Sequence, residues 1–73
     1  MKPEEIRRLL ESNVGKVIRL EYSGYQDTVT ILSVDDDGVV CRMVANDRND
    51  PLLDFWLGLG EISGIEPANE GLQ

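Results

Sequence analysis

The first apolar positions of the chain repeat with a helical period. Ile6, Leu9 and Leu10 stand at i, i+3 and i+4, so they share one side of a helix. Pro3 suits the first helical position, where a backbone N–H has no partner within the helix. The pattern predicts a helix over residues 3–13 that packs its apolar side against the rest of the protein.

From residue 16 onward the apolar positions indicate short β-strands. Residues 17–22 alternate apolar and polar side chains, and the later apolar runs are rich in β-branched or aromatic residues. Gly, Asp, Asn and Pro separate these runs and favour turns. The predicted strands are residues 17–22, 28–34, 39–44 and 52–57, and a short 3₁₀ turn at residues 62–65 leads into a fifth strand.

Three aspartates and a glycine follow the second predicted strand. Asp-Gly is typical of a hairpin turn in which the glycine has a positive φ, and we predict this for Gly38. A calcium loop of the EF-hand type would need a glutamate at its twelfth position, where Asn46 stands. We therefore interpret residues 35–38 as a turn and not as a metal site.

Five short strands with tight connections predict an up-and-down sheet, and closing it into a barrel removes most of its unpaired edges. We expect a mainly β fold, in which a short N-terminal α-helix precedes a five-stranded antiparallel small barrel. Residues 1–67 form this single domain in our interpretation, and residues 68–73 form a frayed tail.

The composition removes several classes of chemistry. The chain has 73 residues, one cysteine and no histidine, which excludes an intrachain disulfide, a cysteine–histidine nucleophile and a Cys/His zinc site. Strand alternation places Cys41 toward the core, where a thiol is inert. A barrel of this size leaves no deep pocket. We expect a protein that is not an enzyme and binds neither a cofactor nor a metal.

Charge is unevenly distributed along the chain. Residues 1–20 carry five basic and three acidic side chains, residues 21–73 carry two basic and eleven acidic ones, and the net charge is −7. Acidic surface repels phosphate, whereas a bipolar chain can attract its own copies or a basic protein. No apolar window is long enough to cross a membrane, and we expect a cytoplasmic protein with a reduced cysteine.

Several motifs resemble the Sm-like family of small SH3-type barrels. They lie within residues 14–67 and comprise Gly15-Lys16-x-Ile18-x-Leu20, a glycine eleven residues before Asp35, and Ile62-x-x-Ile65. The resemblance implies a small barrel with a preceding helix. It also implies assembly in which the last two strands pair between neighbouring subunits.

The RNA-binding positions of Sm-like proteins have no counterparts here. The resemblance asks for an asparagine shortly after Asp35 and for a basic residue followed by glycine before the last strand, but Val39 and residues 57–60 stand there. Residues 18–22, Asp37-Gly38 and Leu57-x-Leu59-x-x-Ile62 are also similar, more loosely, to the core of WYL domains, which sense small ligands. The Trp-Tyr pair and the arginines that mark WYL domains are absent.

The fourth predicted strand carries the candidate interface. Phe55 and Trp56 are consecutive, so in a strand they point to opposite faces, and alternation places Phe55 inside and Trp56 outside. An exposed tryptophan beside an edge strand is typical of an interface. The predicted interface consists of Phe55, Trp56, Leu57, Gly58 and Gly60.

These patterns favour a non-enzymatic protein-association module that pairs with itself or with a protein partner. Two alternatives stay open. One is a nucleic-acid-binding barrel that uses Lys16, Arg19, Tyr22 and Tyr25 on its basic N-terminal side, and the other is a small-ligand sensor of the WYL type.

Overall fold

One helix and five strands make up most of residues 2–46 and 48–67, the part of the chain that the computed structural model describes. The predicted tail at residues 68–73 lies outside the described residues. The elements are α1 (Pro3–Glu11), β1 (Val17–Tyr22), β2 (Tyr25–Val34), β3 (Gly38–Ala45), β4 (Asp54–Gly58), a 3₁₀ turn (Leu59–Glu61) and β5 (Ile62–Pro67).

The five strands form one antiparallel sheet in the order β4-β3-β2-β1-β5. The mainly β class with an N-terminal helix is therefore confirmed. The barrel is not closed by hydrogen bonds, because β4 and β5 lie at opposite ends of the strand order and do not pair within the described residues. The sheet consequently has two edge strands.

The β1–β2 hairpin follows from its turn chemistry. Ser23 and Gly24 have φ angles of 50° and 81°, the pair of positive values that a two-residue type I′ turn requires. Tyr22 therefore stands opposite Tyr25, and the register continues to Val17 opposite Thr30.

The predicted positive φ of Gly38 is wrong. The glycines with positive φ among the described residues are Gly15 and Gly24. The turn is closed instead by Asp35, whose Oδ1 accepts the backbone N–H groups of Asp37 (2.7 Å) and Gly38 (2.6 Å). An aspartate that bonds to the backbone two and three residues ahead makes the turn without a left-handed glycine.

The helix is confirmed, but its buried side is narrower than predicted. Ile6 and Leu10 are buried, whereas Leu9 is 38% exposed. Ile6 and Leu10, which lie one above the other at i and i+4, pack into the core, and Leu9 lies at the margin of this buried side. The helix ends at Glu11, and the Asn13 side chain donates a hydrogen bond to the Leu9 carbonyl (2.7 Å).

The apolar core lies between the helix and the inner face of the sheet. The core cluster contains Ile6, Leu10, Ile18, Leu20, Val29, Ile31, Val39, Cys41, Leu57, Leu59 and Ile62.

The start of β4 at Asp54 is later than predicted, and Leu52 and Leu53 are exposed. No helix in the described part of the chain has the length and apolar character needed to span a membrane.

Candidate functional site

The hydrogen-bond pattern of β4 determines which backbone groups it presents at its free edge. The Met43 N–H donates to the Leu53 carbonyl (3.2 Å), and the Leu59 N–H donates to the Asp37 carbonyl (3.0 Å). Hydrogen-bonded pairs alternate with non-bonded pairs in an antiparallel ladder. The residues between these two bonds therefore divide: Phe55 and Leu57 turn their backbone groups toward β3, whereas Asp54, Trp56 and Gly58 turn theirs to the edge.

One end of this edge is already occupied. The Glu61 carboxylate accepts the Gly58 N–H at 2.9 Å, from the 3₁₀ turn that follows β4. The backbone N–H groups that remain for strand addition are those of Asp54 and Trp56. Their carbonyls lie at the same edge.

Trp56 lies on the outer face of β4, as alternation predicts, and is 52% exposed. Its indole ring packs over Gly38 of β3, and its Nε1–H donates to Asp35 Oδ2 (3.4 Å). Asp35 has a pKa below the usual value because its carboxylate accepts backbone hydrogen bonds from Asp37 and Gly38. The carboxylate is thus a stable partner for the indole at neutral pH.

The five predicted interface residues do not share one surface. Phe55 is half-buried and Leu57 is buried, and both point toward the core. Gly58 is half-buried and Gly60 is exposed in the 3₁₀ turn. Trp56 is therefore the large exposed side chain of the set.

The second edge belongs to β5. In a two-residue hairpin the residues next to the turn, Tyr22 and Tyr25, form a hydrogen-bonded pair. Because bonded and non-bonded pairs alternate, Arg19 and Glu21 of β1 direct their backbone groups away from β2 and toward β5. Their partners there are Glu66 and Gly64. Ile65, which lies between them, therefore presents its N–H and carbonyl at the free edge.

The predicted nucleic-acid residues are divided between the two faces of the sheet. Tyr22 and Tyr25 stand opposite each other and share the inner side with Leu20. Arg19 is on the outer side of β1 and exposed, and Lys16 is exposed just before β1. The structure does not bring the two basic side chains together with the two tyrosines.

A buried aspartate, which the sequence reading missed, lies under the tyrosines. Asp27 of β2 is 0% exposed. Its Oδ2 accepts the Tyr22 hydroxyl (2.5 Å) and the guanidinium Nη2 of Arg48. Asp27 shares strand parity with the buried Val29, which would have placed it inside if β2 had been extended back to its true start at Tyr25.

The loop between β3 and β4 delivers Arg48 to this aspartate. Asn46 organises the loop, since its Oδ1 accepts the backbone N–H groups of Arg48 (3.0 Å) and Asp50 (3.1 Å). The guanidinium carbon of Arg48 lies 4.0 Å from the centroid of the Tyr25 ring, a cation–π contact. We call Tyr22, Tyr25, Asp27, Arg48 and Asp50 the Asp27 cluster.

Titration shifts in and near the cluster follow from burial and pairing. Burial raises the pKa of Tyr22, and its hydrogen bond to the Asp27 side chain raises it further. Burial alone would lower the pKa of Arg48, but Tyr22, Asp27 and Asp50 together raise it. Burial also raises the pKa of Cys41 to about 12, so its thiol stays protonated.

The residues that the structure describes contain no group of three or more His, Cys, Asp or Glu side chains that could hold a metal ion.

No family model matches the chain, and no curated protein or solved structure is significantly similar to it. The resemblances to Sm-like and WYL domains therefore stay predictions.

Proposed function

We propose that this chain is a non-enzymatic association module that assembles with further copies of itself through its two edge strands. The observation that carries the proposal is that β4 and β5 each pair on one side only within the described sheet. A row of free N–H and carbonyl groups is a template for adding a strand, and soluble proteins usually cover it or pair it.

The devices that normally protect an edge are sparse here. Neither β4 nor β5 contains a lysine. Pro67, at the end of β5, removes one donor, and Glu61 occupies the Gly58 N–H. These groups limit where a strand can pair. They leave the backbone N–H and carbonyl groups of Asp54, Trp56 and Ile65 free within the described residues.

Trp56 supplies an apolar anchor beside the free groups of β4. Its side chain is half exposed on the outer face of the strand, and large aromatic side chains dominate the energy of protein interfaces. The acidic side chain nearest along the edge, Asp54, is paired with Arg42 through Oδ1 (2.9 Å) and Oδ2 (3.2 Å). This ion pair reduces the repulsion between like charges when two copies approach.

Light scattering coupled to size-exclusion chromatography at micromolar concentration tests the proposal. We expect the wild type to elute with a mass that is a multiple of 8.2 kDa. Trp56→Glu should elute as a folded monomer, because association would have to bury the glutamate charge in the contact. The wild-type mass should also persist at high salt. Binding to the phosphates of a nucleic acid, which the alternative function requires, would instead weaken steeply as the salt concentration rises.

Leu9→Glu is the matched control. Leu9 is also apolar and partly exposed, but it lies on α1 and not on an edge strand. The oligomer should survive this change, and circular dichroism should show that both variants are folded. A wild type that elutes at 8.2 kDa throughout the micromolar range would refute self-association, and equal losses in both variants would refute the edge as its location.

A further inference from the structure

The Asp27 cluster has the composition of a site that recognises a guanidinium group. A fully buried carboxylate lies behind, the Tyr25 ring lies along one side and is 46% exposed, and Asp50 lies at the rim. A carboxylate that accepts a planar fork of N–H donors and an aromatic ring that stacks on it are the two contacts that favour arginine over lysine.

The residue that now occupies this site uses it incompletely. Arg48 Nη2 and the Tyr22 hydroxyl both donate to Oδ2 of Asp27, whereas Oδ1 is buried and has no hydrogen-bond partner among the described residues. The Nε of Arg48 is likewise without a hydrogen bond and lies 3.5 Å from Asp50 Oδ2. An arginine that met both carboxylate oxygens would form the stronger, bidentate pair.

The position of Arg48 makes exchange possible. It lies on the connection between β3 and β4, outside the sheet, and its side chain is 23% exposed. Loops of this kind open more readily than strands, because fewer buried contacts hold them. The chain as a whole carries a net charge of −7, which attracts a basic partner and not an anionic one.

We propose that the Asp27 cluster is a docking site for an arginine side chain of a partner protein, and that Arg48 is an internal occupant which the partner displaces. The partner's guanidinium stacks on Tyr25 and bonds to both oxygens of Asp27. Arg48 then acts as an autoinhibitory contact that lowers the apparent affinity by the fraction of time it fills the site. This inference goes beyond edge pairing and does not depend on it.

Acetyl-arginine amide is the probe, and the binding is measured by NMR titration and calorimetry on the wild type and on Arg48→Ala. We expect Arg48→Ala to bind the probe at least about tenfold more tightly than the wild type, because no internal arginine competes. The probe should also raise the thermal midpoint of this variant, since a ligand that binds only the folded state stabilises it. If Arg48→Ala is unfolded alone, folding on addition of the probe, followed by circular dichroism, is the equivalent result.

Two comparisons locate the binding and identify its chemistry. Acetyl-lysine amide should bind Arg48→Ala more weakly than the arginine probe, because it has neither the fork nor the planar face. Asp27→Asn, made in the Arg48→Ala background, should remove the binding. Equal affinity for wild type and Arg48→Ala, equal affinity for the two probes, or failure of the arginine probe to bind or fold Arg48→Ala at millimolar concentration would each overturn the proposal.

Discussion

Among the described glycines, Gly38 occupies the position with the least space for a side chain. A Cβ built on it would lie 2.5 Å from a ring atom of Trp56 and would also meet the Leu57 carbonyl. Gly38→Ala should therefore lower the free energy of unfolding by about 1–3 kcal/mol, the usual cost of forcing atoms into filled space. Gly60→Ala is the control, because a Cβ there meets nothing within 4 Å, and it should change stability by less than about 0.5 kcal/mol in a urea titration. Equal costs at the two positions would contradict this account.

The same residue shows what a local motif can and cannot predict. The sequence Asp-Gly correctly indicates a turn, but the reason for the glycine lies in the next strand pair, where Gly38 stands opposite Gly58 beside the Trp56 ring. Asp27 was missed for a similar reason. Its polarity favours a position outside a strand. A buried aspartate is stable there because Tyr22 and Arg48, the latter 21 residues away in the sequence, both donate to its carboxylate.

At the scale of elements, the helix is attached through two residues. Leu10→Ala should cost about 2–5 kcal/mol, because Leu10 is 0% exposed and its removal leaves a cavity. Leu9→Ala, one position earlier on the same helix, should cost about 1 kcal/mol or less since Leu9 is partly exposed. Urea unfolding monitored by Trp56 fluorescence measures both. Similar costs for the two variants would show that the helix packs differently or lies free.

Element boundaries differ from the predicted ones where local contacts replace the strand ladder. The Leu53 N–H donates to the Pro51 carbonyl (3.1 Å), a tight turn that postpones the start of β4 to Asp54. In the opposite sense, the type I′ turn at Ser23 and Gly24 brings Tyr25 into β2, three residues earlier than alternation alone indicated. Period-two patterns thus predict the interior of each strand better than its ends, which depend on turn geometry.

For the whole molecule, alternation predicts which residues face the core but not whether the sheet closes. Closure depends on strand tilt and stagger, which no single strand encodes. In this open sheet, the residues whose backbone groups are free at the two edges have their side chains on different faces. Trp56 at the β4 edge has its side chain on the outer face, whereas Ile65 at the β5 edge shares the inner face with Leu20. Opposite residues in an antiparallel pair share a face. Pairing of β4 with β5 of the next copy would therefore place Trp56 beside Ile65, at the margin of that copy's core.

This contact pairs both edges of every copy, whereas a two-fold contact between two β4 strands leaves both β5 edges free. We therefore expect the repeating β4–β5 form, which gives a ring when the rotation between copies closes and a filament when it does not. Asp54→Cys and Pro67→Cys keep Trp56 and Ile65 and place one thiol on each edge strand. When Trp56 lies opposite Ile65, positions 54 and 67 are also opposite each other, so the two thiols share a face of the joined strands. Cys41 should not react with a short bismaleimide, because its thiol is buried and its pKa is raised to about 12. A mixture of the two variants should give crosslinked dimers on a denaturing gel, and neither variant should do so alone. Crosslinking of Asp54→Cys by itself would instead indicate the two-fold β4–β4 dimer, and the absence of crosslinks in every combination would remove the edges from the assembly.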